Sequence, residues 1–327
     1  MFGRQALFVL SVTVSVFFGL IIISATATGV AFGPVLASLM MLSMWAGLAI
    51  AVLAHVVAMA TSRRWRLDAR APWLILSILA SGFTLPLFEL FKQRILPARG
   101  FPLDPMIAGA ERFILGGHDA WQVTHALFGN VNATVFFDRL YAFWLPMMFM
   151  FPMVAVMAAH DLRLRARLIG CWLSSWVFIA GIGAWAFGSA GPCYYTSLVG
   201  PDAGFSAFHA QLARLGAEAH ARGIVIAAID FQSMLLSEIG VDHLLPAGGI
   251  SAMPSMHVAM ATLFALSAFM IARPLGWIFS VYALIIWIGS IHLGWHYASD
   301  GIVGAAMMAL LWIISGKVVA RKSAFPI

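Results

Sequence analysis

The sequence predicts an all-α protein, a polytopic membrane helix bundle with about eight transmembrane helices. Of its 327 residues, 62% are hydrophobic and only 10% are charged, whereas soluble domains carry about 25% charged residues. Eight apolar stretches are each long enough, or nearly so, to cross a hydrocarbon core of about 30 Å. A soluble core cannot bury this much apolar surface, so the composition excludes a water-soluble globular enzyme.

The predicted spans cover most of the chain, and two long segments, about 92–133 and 191–253, interrupt them. The first stretch resembles a signal peptide, but its apolar region is too long for one, so we interpret it as a retained helix. The eight spans are 7–31, 35–60, 71–91, 134–158, 167–190, 255–272, 275–294 and 299–316.

The charged residues divide unevenly between the two sides that eight spans define. The side with both termini holds twelve of the nineteen Lys and Arg residues and two of the thirteen Asp and Glu residues, a net charge of +10, which leaves −4 on the other. Cytoplasmic loops carry the excess of Lys and Arg. We therefore expect an integral protein of a bacterial inner (cell) membrane, with segments 92–133 and 191–253 on the extracytoplasmic side.

The second long segment contains an amphipathic pattern over residues 205–222, and residues 224–239 are a second candidate helix. We expect these helices to lie flat on the membrane or to fold over the site as a lid. The apolar face of the first consists of Phe205, Phe208, Leu212, Leu215 and Ala219.

The two cysteines, Cys171 and Cys193, lie at opposite ends of one apolar segment. As a helix of about 21 residues, this segment spans roughly 30 Å. That separation is far beyond the reach of a disulfide, so the sequence predicts two free thiols.

Polar residues at the mouths of two apolar spans identify the candidate site. His257 lies at the start of the sixth span, and His296 and Asp300 lie at the start of the eighth. Ionisable residues beside the membrane interior are expensive and mark functional sites by default. On the charge assignment above, all three residues lie on the extracytoplasmic side.

The spacing of these residues fits transfer of a phosphoryl group. Four positions apart on a helix, His296 and Asp300 are in contact, so the carboxylate can hold one ring nitrogen and leave the other free. It also stabilises the imidazolium that forms when the free nitrogen attacks phosphorus. His257 can protonate the departing oxygen and then take a proton from the second substrate. This scheme requires no metal and no cofactor.

The helix that starts near His257 offers a natural phosphate cradle. Pro254 suits the first helical position, and Ser251 is a candidate cap. Gly248 and Gly249 lie upstream, where free backbone N–H groups can approach an anion.

Three alternatives remain open at this point. A lone histidine in a membrane is more often a polar residue that packs helices. A zinc site built from His257, His292, His296 and Asp300 is a second alternative, although no further ligands cluster nearby. A transporter or ion-binding protein that relays protons is a third. It predicts polar residues at mid-depth, whereas the sixth and seventh spans are nearly free of them.

Both motifs resemble those of the type 2 phosphatidic acid phosphatase superfamily. Pro254-Ser255-Met256-His257 is similar to its Pro-Ser-x-His motif, and His296-Tyr297-Ala298-Ser299-Asp300 is similar to its last motif, His-x-x-x-Asp. The resemblance implies His296 as nucleophile, Asp300 as its orienting partner, His257 as general acid and base, and a phosphohistidine intermediate. It also implies a six-helix core, so we expect two N-terminal transmembrane helices in residues 1–65 and the catalytic core in residues 66–327.

Other positions depart from the phosphatases. Gly289 and Ser290 replace the Ser-Arg pair that supplies a phosphate-binding arginine. Residues 189–195, which contain a Gly-Pro pair, and residues 137–144 resemble the inositol phosphorylceramide synthase-like (inositolphosphotransferase) branch, which also lacks that arginine.

The candidate substrate-binding residues lie near predicted helix ends. Lys92 and Arg99 keep the spacing of the phosphatases' first motif, but Gly100 replaces its proline. Arg139, at a helix mouth, either reaches a phosphate or pairs with Asp138. The full candidate set is Ser255, Tyr194, Tyr195, Arg139 and Lys92.

The function these observations favour is a lipid phosphotransferase with a phospholipid donor and a lipid alcohol acceptor, ceramide- or diacylglycerol-like, acting through a phosphohistidine. The alternative is a lipid or prenyl phosphate phosphatase with the same His/His/Asp site. The missing arginine favours transfer.

Overall fold

Long apolar helices build the molecule. The computed structural model describes residues 33–60, 67–240, 244 and 248–320, with the isolated positions 19 and 22, and no strand occurs within them. In chain order the α-helices are α1 (Gly33–Ala60), α2 (Leu67–Leu90), α3 (Asp104–Ile114), α4 (Ala120–Phe128), α5 (Val131–Ala158), α6 (Leu162–Ser175), α7 (Ala184–Phe187), α8 (Ala203–Ala221), α9 (Ala227–Ser237), α10 (Met256–Phe269), α11 (Arg273–His292) and α12 (Ala298–Ala320).

Six helical stretches of the described chain are long and apolar enough to cross a membrane. They are Leu36–Val56, Arg70–Arg99, Val131–Ala158, Leu162–Phe187, Arg273–His292 and Ala298–Val319. The predicted span 255–272 forms the shorter apolar helix α10, and the predicted span 7–31 lies outside the described residues. The prediction of an all-α polytopic membrane bundle is confirmed.

Two of these stretches continue beyond a regular α-helix. After α2 the chain forms a π-helical turn over Phe91–Ile95 and a 3₁₀ turn over Leu96–Arg99, and the π-helical stretch Trp176–Gly183 joins α6 to α7. π-Helical turns often occur at functional sites, and the first of these contains Lys92.

Helix α10 lies at the centre of the bundle and packs against α11, α12, α6 and α5. Nine of its 14 residues are buried. Its start meets the start of α12 closely, because a Cβ atom on Gly304 would run into the backbone of Ser255. This approach brings the two predicted motifs together.

The two segments between the spans pack on each other at one end of the bundle. Helices α3 and α4 come from the first segment, α8 and α9 from the second, and one hydrophobic cluster joins them. The predicted apolar face of α8 is buried as expected, from Phe205 to Ala219. Because protein covers this face, α8 folds over the bundle and does not present that face to the membrane.

Several local predictions have clear outcomes. Both cysteines are free, as predicted, and both are buried. The predicted cap of α10 is wrong: Ser255 is the N-cap, so Ser251 and Pro254 lie ahead of it. The predicted pairing of Asp138 with a neighbouring arginine is also wrong, because its carboxylate accepts hydrogen bonds from the first backbone N–H groups of α9.

Candidate active site

His257 lies in the first turn of α10, where its ring is held between aromatic side chains of α5. The imidazole stacks on Tyr141 at 4.2 Å between ring centroids and on Trp144 at 4.0 Å. Ser255 starts the helix, and its Oγ accepts a hydrogen bond from the N–H of Val258 at 3.4 Å. These contacts fix the plane of the imidazole and leave the side chain partly exposed.

His296 and Asp300 meet at the turn that leads into α12. His296 Nδ1 lies 3.4 Å from Asp300 Oδ2, which is ion-pair range without hydrogen-bond alignment. The same carboxylate oxygen accepts a hydrogen bond from the N–H of Tyr297 at 3.0 Å. His296 is 5% exposed and Asp300 is fully buried. The carboxylate therefore faces Nδ1, which leaves Nε2 of His296 for chemistry.

The two motifs form one site. The ring centroids of His257 and His296 are 5.9 Å apart. The N–H of Ser255 donates to the backbone carbonyl of Asp300 at 3.0 Å, which ties the cap of α10 directly to the second motif. A phosphorus atom between the two imidazoles can therefore contact one ring on each side.

Lys92 adds a positive charge to this site. A Cβ atom on Gly249 would meet both the backbone carbonyl and the side chain of Lys92, so the π-helical turn lies against the chain just ahead of Ser255. Lys92 thus lies beside the segment that leads into the cap of α10, on the side of the bundle where His257 is found.

The two predicted tyrosines lie at different distances from the histidines. Tyr194 packs against Trp295 at 6.3 Å between ring centroids, and Trp295 stacks parallel to Tyr141, which in turn stacks on His257, so two aromatic rings connect Tyr194 to His257. Tyr195 packs on Phe205 instead. Both tyrosines therefore belong to the hydrophobic cluster that joins segments 92–133 and 191–253, and only Tyr194 is connected to His257 through a series of stacked rings.

Arg139 does not join the site. It lies two residues before Tyr141 and five before Trp144, which puts its side chain on the opposite side of α5 at 100° per residue. The guanidinium is exposed and donates to the backbone carbonyl of Val225 at 3.0 Å.

A second pair of histidines lies apart from the first. His125 and His292 stack with their ring centroids 4.1 Å apart, and His125 Nε2 lies 2.8 Å from the backbone oxygen of His292. Burial lowers the pKa of His125. Among the described residues, no group of three or more His, Cys, Asp or Glu side chains is arranged to hold a metal ion, so the zinc alternative has no support in this geometry.

Sequence analysis missed residues that surround the site. Tyr141 and Trp144 pack against the imidazole of His257. They are three positions apart on α5 and so share one face of that helix, which is the sequence pattern that could have identified them. Asp104 and Glu111 of α3 contact the segment between His296 and Asp300. Burial raises the pKa of both carboxyl groups, and hydrogen bonds from their partners oppose that rise.

Two cavities lie beside candidate residues, one next to Tyr194 and one next to His296. The larger, of about 530 Å³, lies between residues 193–197 and the helices α8 and α9; the described residues that line it include no Lys, Arg, Asp or Glu and none of His257, His296 and Asp300. Its lining combines apolar side chains with polar ones, among them the hydroxyl groups of Thr196, Ser197, Ser206 and Ser233. The smaller, of about 10 Å³, is bordered by His296, Trp121 and Glu111, which is about the space that one water molecule needs.

Comparison with known families gives one match. A family model described as the PAP2 superfamily matches residues 106–314, more than half of the 327-residue chain. The matched region contains both histidines and Asp300, whereas Lys92 precedes it. No match was found among curated proteins or among solved structures.

Proposed function

The chain belongs to the PAP2 superfamily and is a phosphatase-type lipid enzyme, and on this premise we propose that it is a lipid phosphotransferase. It moves a phosphorylated headgroup from a phospholipid to a lipid alcohol, ceramide- or diacylglycerol-like. The observation that carries this proposal is the facing pair of imidazoles, 5.9 Å apart, with Asp300 behind one of them.

The first step forms a phosphohistidine. Nε2 of His296 attacks phosphorus, an N–P bond forms, and the P–O bond to the leaving lipid alcohol breaks. His257 gives its proton to the departing oxygen. Asp300, facing Nδ1, stabilises the positive charge that develops on the attacking ring.

The second step reverses these roles. The acceptor hydroxyl gives its proton to His257 and attacks the same phosphorus, and the N–P bond breaks. His257 is then protonated again and His296 is free, so both are ready for a further cycle. The proton that leaves the acceptor is the one that the next leaving group receives.

Lys92 takes the part of the missing phosphate-binding arginine in this proposal. Its support is the approach of Lys92 to Gly249, just ahead of the cap of α10, from where its side chain reaches toward the non-bridging oxygens of the phosphate. The N–H groups at the start of α10 supply further donors, because the first turn of a helix leaves them unpaired. Ser255 contributes by capping that turn.

The neutral cavity next to Tyr194 supports the finer assignment to the inositolphosphotransferase-like branch. A volume of about 530 Å³ lined by hydroxyl groups fits the polar headgroup of a donor lipid, since ligand pockets measure about 300–1,000 Å³. The absence of lining charges favours a headgroup that is uncharged beyond its phosphate.

The phosphatase alternative also has one observation in its favour. The cavity of about 10 Å³ beside His296 has room for a single water, which is the acceptor that hydrolysis of a lipid or prenyl phosphate requires. In that case water gives its proton to His257 and releases inorganic phosphate from the same phosphohistidine.

One experiment separates the two reactions. Purified protein is incubated with a phospholipid labelled in its headgroup, with and without a ceramide or a diacylglycerol. Transfer predicts label in the acceptor lipid and dependence on that acceptor. Release of inorganic phosphate from a phosphomonoester without any acceptor would overturn the transferase. Full activity of both His296→Ala and His257→Ala would overturn the site.

We extend the proposal to the whole chain. Residues 66–327 form the catalytic core, with helix α1 packed against its first helix; the first of the two N-terminal transmembrane helices expected in residues 1–65 lies outside the described residues. The protein lies in a bacterial inner membrane with the site on the extracytoplasmic side. The packing of the segments 92–133 and 191–253 on each other supports this arrangement, since both must then lie on one side.

A further inference from the structure

Helix α3 buries two carboxylates that the chemistry above does not use. Asp104 and Glu111 are seven residues apart and therefore share one face of the helix. Asp104 is fully buried and Glu111 is 7% exposed, whereas Phe113 on the same helix is 88% exposed. Because burial of a carboxylate is unfavourable unless it is hydrogen-bonded, the two buried acids must have specific partners.

Asp104 accepts four hydrogen bonds from groups beside the site. The hydroxyl of Tyr297 donates to Oδ1 at 2.9 Å. The remaining three donors belong to one segment: Ser189 Oγ at 3.2 Å, Ala190 N at 2.8 Å and Gly191 N at 2.9 Å. Asp104 thus joins the segment that precedes Tyr194 to the residue that follows His296.

Glu111 holds the other side of the same turn. Its Oε1 accepts hydrogen bonds from the backbone N–H of Ser299 at 2.8 Å and from the Ser299 hydroxyl at 3.0 Å. Tyr297 and Ser299 alternate with His296, Ala298 and Asp300 along the chain. The two acids of α3 therefore contact every second residue of the motif, between its two chemical groups.

We infer that Asp104 and Glu111 are positioning residues, which hold the His296–Asp300 turn in its reactive geometry from the extracytoplasmic segment. The inference rests on the proposed function, since it assigns a supporting role to the same site. On this inference α3, which contains neither of the two motifs, supports the turn that holds His296 and Asp300.

Within the described part of the chain, no cation forms an ion pair with either acid. The nearest arginine on the helix, Arg112, directs its guanidinium to Asp119 and Asp202. All donors to Asp104 and Glu111 named above are neutral hydroxyl or amide groups. Burial of a carboxylate that has only neutral donors costs free energy, so stability alone does not explain these two acids. Replacing each carboxylate by an amide therefore tests whether the acid is needed for the geometry of the site or only for the connection between the two segments.

The two sites respond differently to amide substitution. In Glu111→Gln the remaining carbonyl oxygen still accepts hydrogen bonds from Ser299, so we expect kcat within about threefold of wild type. Glu111→Ala removes the acceptor, so we expect its kcat to fall below that of Glu111→Gln.

In Asp104→Asn the new NH₂ group faces a hydrogen-bond donor whichever way it turns. A misplacement of about 1 Å at a reactive group can reduce the rate about a hundredfold, so we expect kcat to fall by about that factor with KM within about twofold.

A matched control distinguishes positioning from folding. Asp138 is also a buried carboxylate, 2% exposed, that accepts hydrogen bonds from two backbone N–H groups, those of Ala227 and Ala228. We expect Asp138→Asn to lower the melting temperature about as much as Asp104→Asn but to keep kcat within about threefold of wild type. Equal losses of kcat in the two variants, or full kcat in Asp104→Asn, would overturn the inference.

A readout that needs no turnover completes the test. Cys193 is buried two residues after Gly191, so release of that segment exposes its thiol. In a Cys171→Ser background we expect a maleimide to label Cys193 at least about tenfold faster in Asp104→Asn than in Asp138→Asn. Unchanged labelling would show that Asp104 does not hold the segment, even if the wild type proved inactive on every donor. Inactivity of the wild type would count against the proposed function instead.

Discussion

At the scale of single residues, the candidate site depends on the side chains that orient the imidazole rings of His257 and His296. The imidazole of His257 has stacking partners, whereas no carboxylate of the described residues pairs with it as Asp300 does with His296. Its orientation therefore depends on packing, and in the proposed mechanism the aromatic walls of Tyr141 and Trp144 must be intact for His257 to pass its proton to the leaving oxygen.

Tyr141 tests this point. Its ring stacks on His257, but its buried hydroxyl has no hydrogen-bond partner among the residues that the structure describes. We expect Tyr141→Phe to keep kcat within about twofold and to raise stability, since an unsatisfied buried hydroxyl costs about 1–3 kcal/mol. Tyr141→Ala should lose most activity because the wall is gone. Steady-state rates and thermal unfolding in detergent measure both. An inactive Tyr141→Phe would mean that the hydroxyl takes part in the reaction.

Lys92 gives the second residue-scale prediction. If its charge stabilises the phosphate, Lys92→Gln should reduce kcat/KM by about a hundredfold, the loss seen when one charge-stabilising group is removed. Arg99→Gln is the control, because Arg99 lies in the following 3₁₀ turn and donates to the backbone carbonyl of Trp185. Transfer of label from donor to acceptor lipid is the assay. Equal effects of the two substitutions would argue against a role for Lys92 in phosphate binding.

At the scale of helices, the close approach of α10 and α12 assembles the motifs. Gly304→Ala should lower activity and stability, because the added methyl group meets the backbone of Ser255. Gly170→Ala in α6 has open space around the new methyl, and alanine is a better helix former than glycine by about 1 kcal/mol. We therefore expect the control to be stabilising. Parallel melting curves and transfer rates compare the two, and a harmless Gly304→Ala would contradict the packing described.

The contact of α3 with the starts of α4 and α8 depends on pH through Arg112 of α3, whose guanidinium donates hydrogen bonds to Asp119 and Asp202. The Arg112 hydrogen bond holds the pKa of Asp202 below its usual value. A depressed carboxyl pKa contributes stability above the unfolded value of about 3.9, and that stability is lost as pH falls through the folded pKa.

Arg112→Ala should therefore lower the melting temperature at pH 7 and have a smaller effect at pH 3. Arg139→Ala is the control, because Arg139 donates to a backbone carbonyl, which does not titrate. Its effect on melting should be the same at both pH values. A loss from Arg112→Ala that does not shrink in acid would mean that the ion pair is not the source of the stability.

Features of these helices could be predicted from the sequence where they depend on residues close together along the chain, and not where they depend on residues far apart. Apolar spans and the amphipathic face of α8 are local patterns, and so the fold class and the α8 face could be predicted. The spacing of His296 and Asp300 is local as well. Asp104 accepts a hydrogen bond from Tyr297, 193 positions later in the chain, and Glu111 accepts one from Ser299, 188 positions later. No pattern within a window of residues contains such a partnership, so these acids looked like ordinary polar residues of a connecting segment.

At the scale of the whole molecule, the remaining prediction concerns orientation. The uneven distribution of Lys and Arg predicts that the outer segments face away from the cytoplasm. Helix α8 and the connection between α5 and α6 lie on opposite sides of the bundle if each span crosses once. Ala210 on α8 and His160 before α6 are both exposed, and both native cysteines are buried.

Single cysteines at these two positions test the orientation directly. In intact cells, a membrane-impermeant maleimide should label Ala210→Cys and leave His160→Cys unlabelled, and permeabilisation should make both accessible. The wild type supplies the background because its own thiols are buried. The reverse pattern would place His257 and His296 on the cytoplasmic side, and the enzyme would then draw donor and acceptor lipids from the inner leaflet. Labelling at both positions in intact cells would mean that the number of crossings between α5 and α8 is not the one assumed.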